Sequence, residues 1–284
     1  MSESADTPLV RLLRQLDLEP RGRSGFQAEP IPGSGRLFGG LVAAQSVVAA
    51  GRTVAEGALH SLHAYFLRPG AHEVPIRFEV DRIRDGRTFT TRRVIAVQDG
   101  EAIFNLSASF ARPEEGIAHQ ESPMPEAPDP EGLPDWEVLR AQALGEPAAR
   151  RDAGAIAIRA CDPRDVDPRR RLPARKLIWL RPVGSLPEDP LVHAAVLVYA
   201  SDRTLLSTAA RPHGLSWGKR RAASLDHAMW LHHVPYFDDW LLYASESPVA
   251  HAARGLILGG MYRRDGVRIA SVAQEGLIRI ARDR

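Results

Sequence analysis

Apolar residues recur along this chain with two periods, and the changes of period divide it into segments. Leu9, Leu12, Leu13 and Leu16 fall at helical spacing and predict a short amphipathic helix near the start. GGLVAAQSVVAAGRTV at 39–54 and PLVHAAVLVYASDRTLLSTAA at 190–210 are apolar almost all round, as expected of helices buried by their surroundings. Elsewhere the period drops to two. TRRVIAVQDGEAIFNLSASF at 91–110 and ARGLILGGMYRRDGVRIASVAQ at 253–274 each read as a pair of strands, turning at Asp99-Gly100 and Asp265-Gly266. Residues 113–172 carry prolines at 113, 123, 125, 128, 130 and 134, then the charged run RDVDPRRR. Such composition buries little surface, so it reads as a long connection with one helix near 135–145.

The two patterned halves resemble each other. HAYFL at 63–67 matches HAMWL at 227–231, which sets His63 over His227 and predicts a structural role for both, such as a hydrogen bond within the sheet. Asp99 over Asp265 sets Ala108 opposite Gln274, so only the second half has a polar group there. Each half is predicted to hold a strand, a buried helix and several antiparallel strands. The expected class is α+β: two sheets side by side, each wrapped around its own helix, a double hot-dog. The expected domains are 1–115 and 173–284, with 116–172 as linker.

Composition bounds the function. With 44% hydrophobic and 25% charged residues, the chain has the make-up of an ordinary globular protein. A net charge of +2 does not argue for nucleic acid as a partner. Only Lys176 and Lys219 are lysines, the other basic residues being arginines, which fits coding bias or phosphate-gripping forks. A lone Cys161 excludes an intrachain disulfide framework and suits a reducing compartment. No apolar run is long enough for a membrane span, and the start lacks a signal-peptide profile. IRIARDR at the end lacks the S-K-L type of address, so a cytoplasmic location is expected.

ASLDHAMWLHH at 223–233 is the densest chemical block. His232, His233, Asp238 and Asp239 raise the question of a metal, but no HExxH or paired CxxC accompanies them, and HHVPYFDD reads as an exposed connection. No GxSxG elbow points to a serine esterase. Strand alternation sends Asp226 and His227 to opposite faces, which disfavours a relay between them.

Six blocks, RLFGGLVAAQ (36–45), LHSLHAYFLRPG (59–70), YASD (199–202), SLDHAMWLHH (224–233), WLLYASES (240–247) and DGVRIASVAQEG (265–276), resemble the type II acyl-CoA thioesterases in order. The resemblance runs from about residue 10 to 280. It implies hydrolysis of fatty acyl-CoA with no metal, no cofactor and no covalent intermediate. It also implies that Asp202, Ser224 and Gln274 hold the attacking water, Ser224 standing where bacterial relatives have threonine. A carboxylate in an apolar helical stretch can serve as base, and a hydroxyl and an amide can orient water. On the residues alone, Asp202 reads equally as a turn residue, Gln274 as an edge-strand polar group and Ser224 as filler. Asp226 aligns with a supporting aspartate, expected to hold His227 or a backbone amide. Gly39 and Gly40, at a helix start, are either close-packing residues or oxyanion donors. The first half is expected to wall a single active site, and the chain to form a dimer or tetramer. A non-catalytic acyl-CoA binding protein and a hot-dog enoyl-CoA hydratase are the alternatives.

Overall fold

The computed structural model describes residues 6–145, 154–167, 169–215 and 220–280. In the first half, α1 (Pro8–Leu16), β1 (Glu19–Arg21) and β2 (Gly25–Ala28) lead into α2 (Gly39–Gly51). The strands β3 (Ala58–Phe66), β4 (Ile76–Asp85), β5 (Phe89–Gln98) and β6 (Glu101–Ala111) follow. After α3 (Trp136–Leu144) and β7 (Ile156–Ala160), the second half runs through β8 (Arg175–Pro182), α4 (Pro190–Ser201) and α5 (Leu205–Ala210). It closes with β9 (Arg220–Ser224), β10 (Asp226–Leu231), β11 (Leu241–His251), β12 (Arg254–Arg263) and β13 (Arg268–Ile280). Among the described residues no helix is long and apolar enough to cross a membrane.

These strands join into one antiparallel sheet, ordered β1-β2-β4-β5-β6-β3-β10-β13-β12-β11-β8-β7, with β9 pairing β13 beside β10. The halves meet where β3 pairs β10, from Asp226 against Tyr65 to Trp230 against Ser61. Helices α2 and α4 lie antiparallel in the enclosed core. A Cβ on Gly51 would run into Leu191, and one on Gly40 would stand 2.9 Å from the Tyr199 carbonyl, so glycine lets both ends of the pair close up. The N-terminus of α2 therefore meets the C-terminus of α4.

Three expectations need correction. The stretch 190–210 is two helices, because the chain turns at Asp202, the C-cap residue of α4. The presumed connection contributes β7, whose Ile156 and Ile158 are buried and whose edge pairs β8. The same stretch also covers the outer face of the second half. Trp179 Nε1 donates to the Pro128 carbonyl, Trp240 Nε1 to Glu131, and Met124 and Leu133 pack against these rings.

The third correction is the repeat register. Leu62 faces Ala108 across β3 and β6, while β10 and β13 bring His227 beside Gln274. With Ala108 and Gln274 matched through their Asp-Gly turns, Leu62 is the counterpart of His227, and His63 is not. The pairing of β3 is regular from Ser61 to Phe66, so HAYFL and HAMWL are alike one residue out of step with the strand register, and a one-residue slip in a strand changes the face. His63 accordingly lies on the exposed face, edge-on to the Trp230 ring at 5.2 Å.

Candidate active site

A cavity of about 900 Å³ opens where the two helix ends meet. Phe38, Gly39, Val42, Phe66 and Phe104 line it from the first half, and Asp202, Leu206, Ser224 and Leu225 from the second. Trp136, Glu137 and Arg140 of α3 complete the wall, and Glu137 binds Arg203 at 3.2 Å. The sequence places a helix near here, but nothing in its pattern directs that helix toward the site.

Ser224 occupies a break in the sheet. It ends β9, and Leu225 interrupts the run before β10 starts, so β13 is paired first by one strand and then by the other. The break leaves the Ser224 hydroxyl beside Asp202 instead of in a closed ladder. Ser224 Oγ donates to Asp202 Oδ1 over 3.4 Å, a long bond that a water can replace, and accepts from Gln274 Nε2 at 2.8 Å. Gln274 also donates to the Asp202 carboxyl. The structure thus brings together Asp202, Ser224 and Gln274, which lie far apart in sequence. Asp202 and Ser224 face the cavity, whereas Gln274 is fully buried behind them.

Asp202 keeps some surface on the cavity, yet protein closes round its carboxyl. Burial, the largest influence, raises its pKa above the ordinary carboxylate value. The nearby His227, hydrogen bonds from Gln274 and Ser224, and the Gly40 N–H all pull the other way. Capping α4 sets Asp202 at the negative end of one helix dipole, while Gly40 presents the positive end of another. Gly40 therefore already serves Asp202. Gly39 lines the cavity, and a Cβ there would stand 3.2 Å from Asp202 Oδ2.

The neighbouring residues divide. Asp226 Oδ1 accepts the Glu275 N–H at 2.7 Å, gripping β13 one residue past Gln274. His227, buried on the other face, places Nδ1 2.6 Å from Gln274 Oε1 and Nε2 2.9 Å from Ser201 Oγ. Ser201 escapes sequence reasoning, although it directly precedes Asp202. His63 is outside the site. In HHVPYFDD, Phe237 is buried with its N–H bound to His193 Nδ1 at 3.0 Å, and His232 holds Ser271. Among the described residues no three His, Cys, Asp or Glu side chains gather as metal ligands.

The sequence matches the acyl-CoA thioesterase family over residues 168–277 and the acyl-CoA thioesterase N-terminal domain over 27–111. It is 38% identical to acyl-coenzyme A thioesterase 8 of Mus musculus, over 98% of this chain and 91% of that protein. It is 36% identical to acyl-CoA thioesterase 2 of Haemophilus influenzae, over 96% of each. Among solved structures, acyl-CoA thioesterase II TesB2 of Mycobacterium marinum is similar at 39% identity and a TM-score of 0.79, over 96% of this chain and 99% of that one. A hot-dog-fold protein of Alicyclobacillus acidocaldarius has the same TM-score, 0.79, at 18% identity, a likeness of fold alone. These likenesses define the class as a double hot-dog thioester hydrolase. The chain belongs to the type II acyl-CoA thioesterase family.

Proposed function

We propose that this acyl-CoA thioesterase cleaves fatty acyl-CoA with a water held between Asp202 and Ser224. The observation that carries the reading is the placement of a buried, base-competent carboxylate and a hydroxyl together on an apolar cavity wall. The acyl chain lies among Phe38, Val42, Phe66 and Phe104, with its thioester carbonyl at the α2 terminus. Asp202 takes a proton from the water, whose oxygen adds to the carbonyl carbon. The oxyanion so formed is stabilised by the Gly39 N–H at the positive helix end. Collapse expels the CoA thiolate, which recovers the proton from Asp202, leaving a fatty acid and free CoA. Gln274, behind the pair, holds both reacting groups.

Arg36 and Arg68 on the cavity wall supply positive charge for the CoA phosphates. The first half, residues 1–115, acts as the wall, and 173–284 as the bearer of the polar groups. We assign the enzyme to the cytoplasm, on the strength of its lone cysteine, and to a dimer or tetramer, for which exposed Tyr65 and Trp230 at the seam offer an apolar face.

The test is a panel of acyl-CoAs of increasing chain length, with free thiol as the readout. CoA release by the wild type, lost in Asp202→Asn, is the expected result. Binding of acyl-CoA without thiol release would establish a non-catalytic binder instead.

A further inference from the structure

We propose that His227, held by Ser201, is a positioning residue that fixes the amide of Gln274 in the orientation the water-activating pair requires. The inference rests on the reading of Asp202 and Ser224 given above. An amide has two faces of opposite character, and Gln274 must present NH2 to one side and C=O to the other. Toward Asp202 and Ser224 it presents NH2, since a carboxylate only accepts. Its Oε1 then meets His227 Nδ1 at 2.6 Å, so Nδ1 carries hydrogen and donates.

The tautomer is set one step further back. His227 Nε2 lies 2.9 Å from Ser201 Oγ, and that hydroxyl also reaches the Val198 carbonyl at 2.8 Å. If Ser201 donates to Nε2, the ring is neutral with its hydrogen on Nδ1. If Ser201 donates to Val198, Nε2 must itself carry hydrogen, and the ring is an imidazolium with Nδ1 still protonated. Both states of the network keep Nδ1 as donor to Gln274. A flipped amide would set NH2 against that N–H and its oxygen against the Asp202 carboxylate, two repulsive contacts.

His227 is 1% exposed and does not line the cavity, so its contact with the water-holding groups runs through Gln274. In the first half the matching pair is Leu62 and Ala108, both apolar, and no polar site forms there. The titratable groups coupled electrostatically to Asp202 are His227 and Tyr243, the latter donating from its hydroxyl to the Ser201 carbonyl.

The test uses steady-state kinetics with acyl-CoA across a pH series. His227→Leu, which borrows the residue of the first half, is expected to lower kcat by about 10²-fold, the scale of lost positioning. KM is expected to stay unchanged. The acid limb of the kcat profile is expected to move upward, because Asp202 loses the Gln274 donor that His227 keeps aimed at it, and that hydrogen bond pulls its pKa down. His227→Asn puts an amide N–H where Nδ1 stood and recovers most of the rate. His227→Gln puts it where Nε2 stood and does not, a contrast that remains readable if the leucine variant fails to fold. In a Gln274→Ala background, His227→Leu adds no further loss. Wild-type kcat and pH profile in His227→Leu, or equal losses in both backgrounds, overturns the proposal. Wild-type turnover by Gln274→Ala overturns instead the reading of the site on which it rests.

Discussion

The backbone N–H of Gly40, from the first half of the chain, is hydrogen-bonded to the carboxyl of Asp202, from the second. The contact exists because α2 and α4 pack antiparallel, opposing a positive helix end to a negative one. It predicts that Gly40→Ala injures both fold and chemistry. The new Cβ would stand 2.9 Å from the Tyr199 carbonyl and 2.6 Å from the Phe38 ring, so the helix end must shift. Overpacking of this kind costs about 1–3 kcal/mol. A lower unfolding midpoint together with a lower kcat is the expected pair of results, and an unchanged enzyme would contradict the packing described.

Substitutions at the water-holding groups should rank by role. Asp202→Asn removes the base while keeping its shape, and kcat should fall by about 10²-fold or more. Ser224→Ala should fall less, since Asp202 still faces the cavity, and Ser224→Thr should remain active because the hydroxyl persists. Gln274→Ala should be severely impaired, as it frees both partners at once. Pairs of these changes should fall short of additive, because the groups act as a unit. Initial rates of thiol release rank them directly, and normal turnover by Asp202→Asn would make Asp226 the next base to test.

The raised pKa of Asp202 also has a consequence for stability. The folded protein holds the Asp202 proton more tightly than the unfolded chain does, so this group favours folding most at low pH. That contribution is complete below the unfolded value, about pH 4, and is lost as pH rises through the higher folded value. Asp202→Asn cannot ionise and avoids the loss. Its melting temperature should exceed that of the wild type at neutral pH, with the gap closing as pH falls toward 4. Thermal unfolding of the two proteins over a pH series decides the matter, and a gap that widens in acid would reverse the sign.

Elements with strong local periodicity are legible without the structure. The all-round apolar helices, the Asp-Gly hairpins and the opposition of Ala108 to Gln274 follow from spacing alone, since each depends on neighbours along the chain. The trio Asp202, Ser224 and Gln274 becomes legible through its resemblance to a family, because the motifs say nothing of the distance between helix and sheet. The place of His63 is not legible: HAYFL and HAMWL look alike, yet strand pairing sets Leu62 and not His63 opposite Ala108, and pairing across strands leaves no mark in composition. Strand β7 is hidden because two buried isoleucines sit among prolines and arginines. The Gly40–Asp202 contact is invisible for a different reason, as it depends on how two helices from separate halves pack.

Cys161 gives a prediction about what the site does not use. The thiol lies just after β7, half-buried on the outer side of the sheet near Trp179, and it is not on the cavity wall. Burial, with Asp165 close by, pushes its pKa up to about 12. At neutral pH it is then almost wholly thiol, and the thiolate is the form that attacks. Two results follow. Native protein should react with iodoacetamide far more slowly than urea-unfolded protein, in which the thiol returns to its ordinary range. Cys161→Ser should retain nearly full turnover, its only penalty being the exchange of a polarisable sulfur for a hydroxyl at a half-buried position. A folded but inactive Cys161→Ser would mean that a thiol nucleophile takes part and that the water held by Asp202 and Ser224 is not the attacking group.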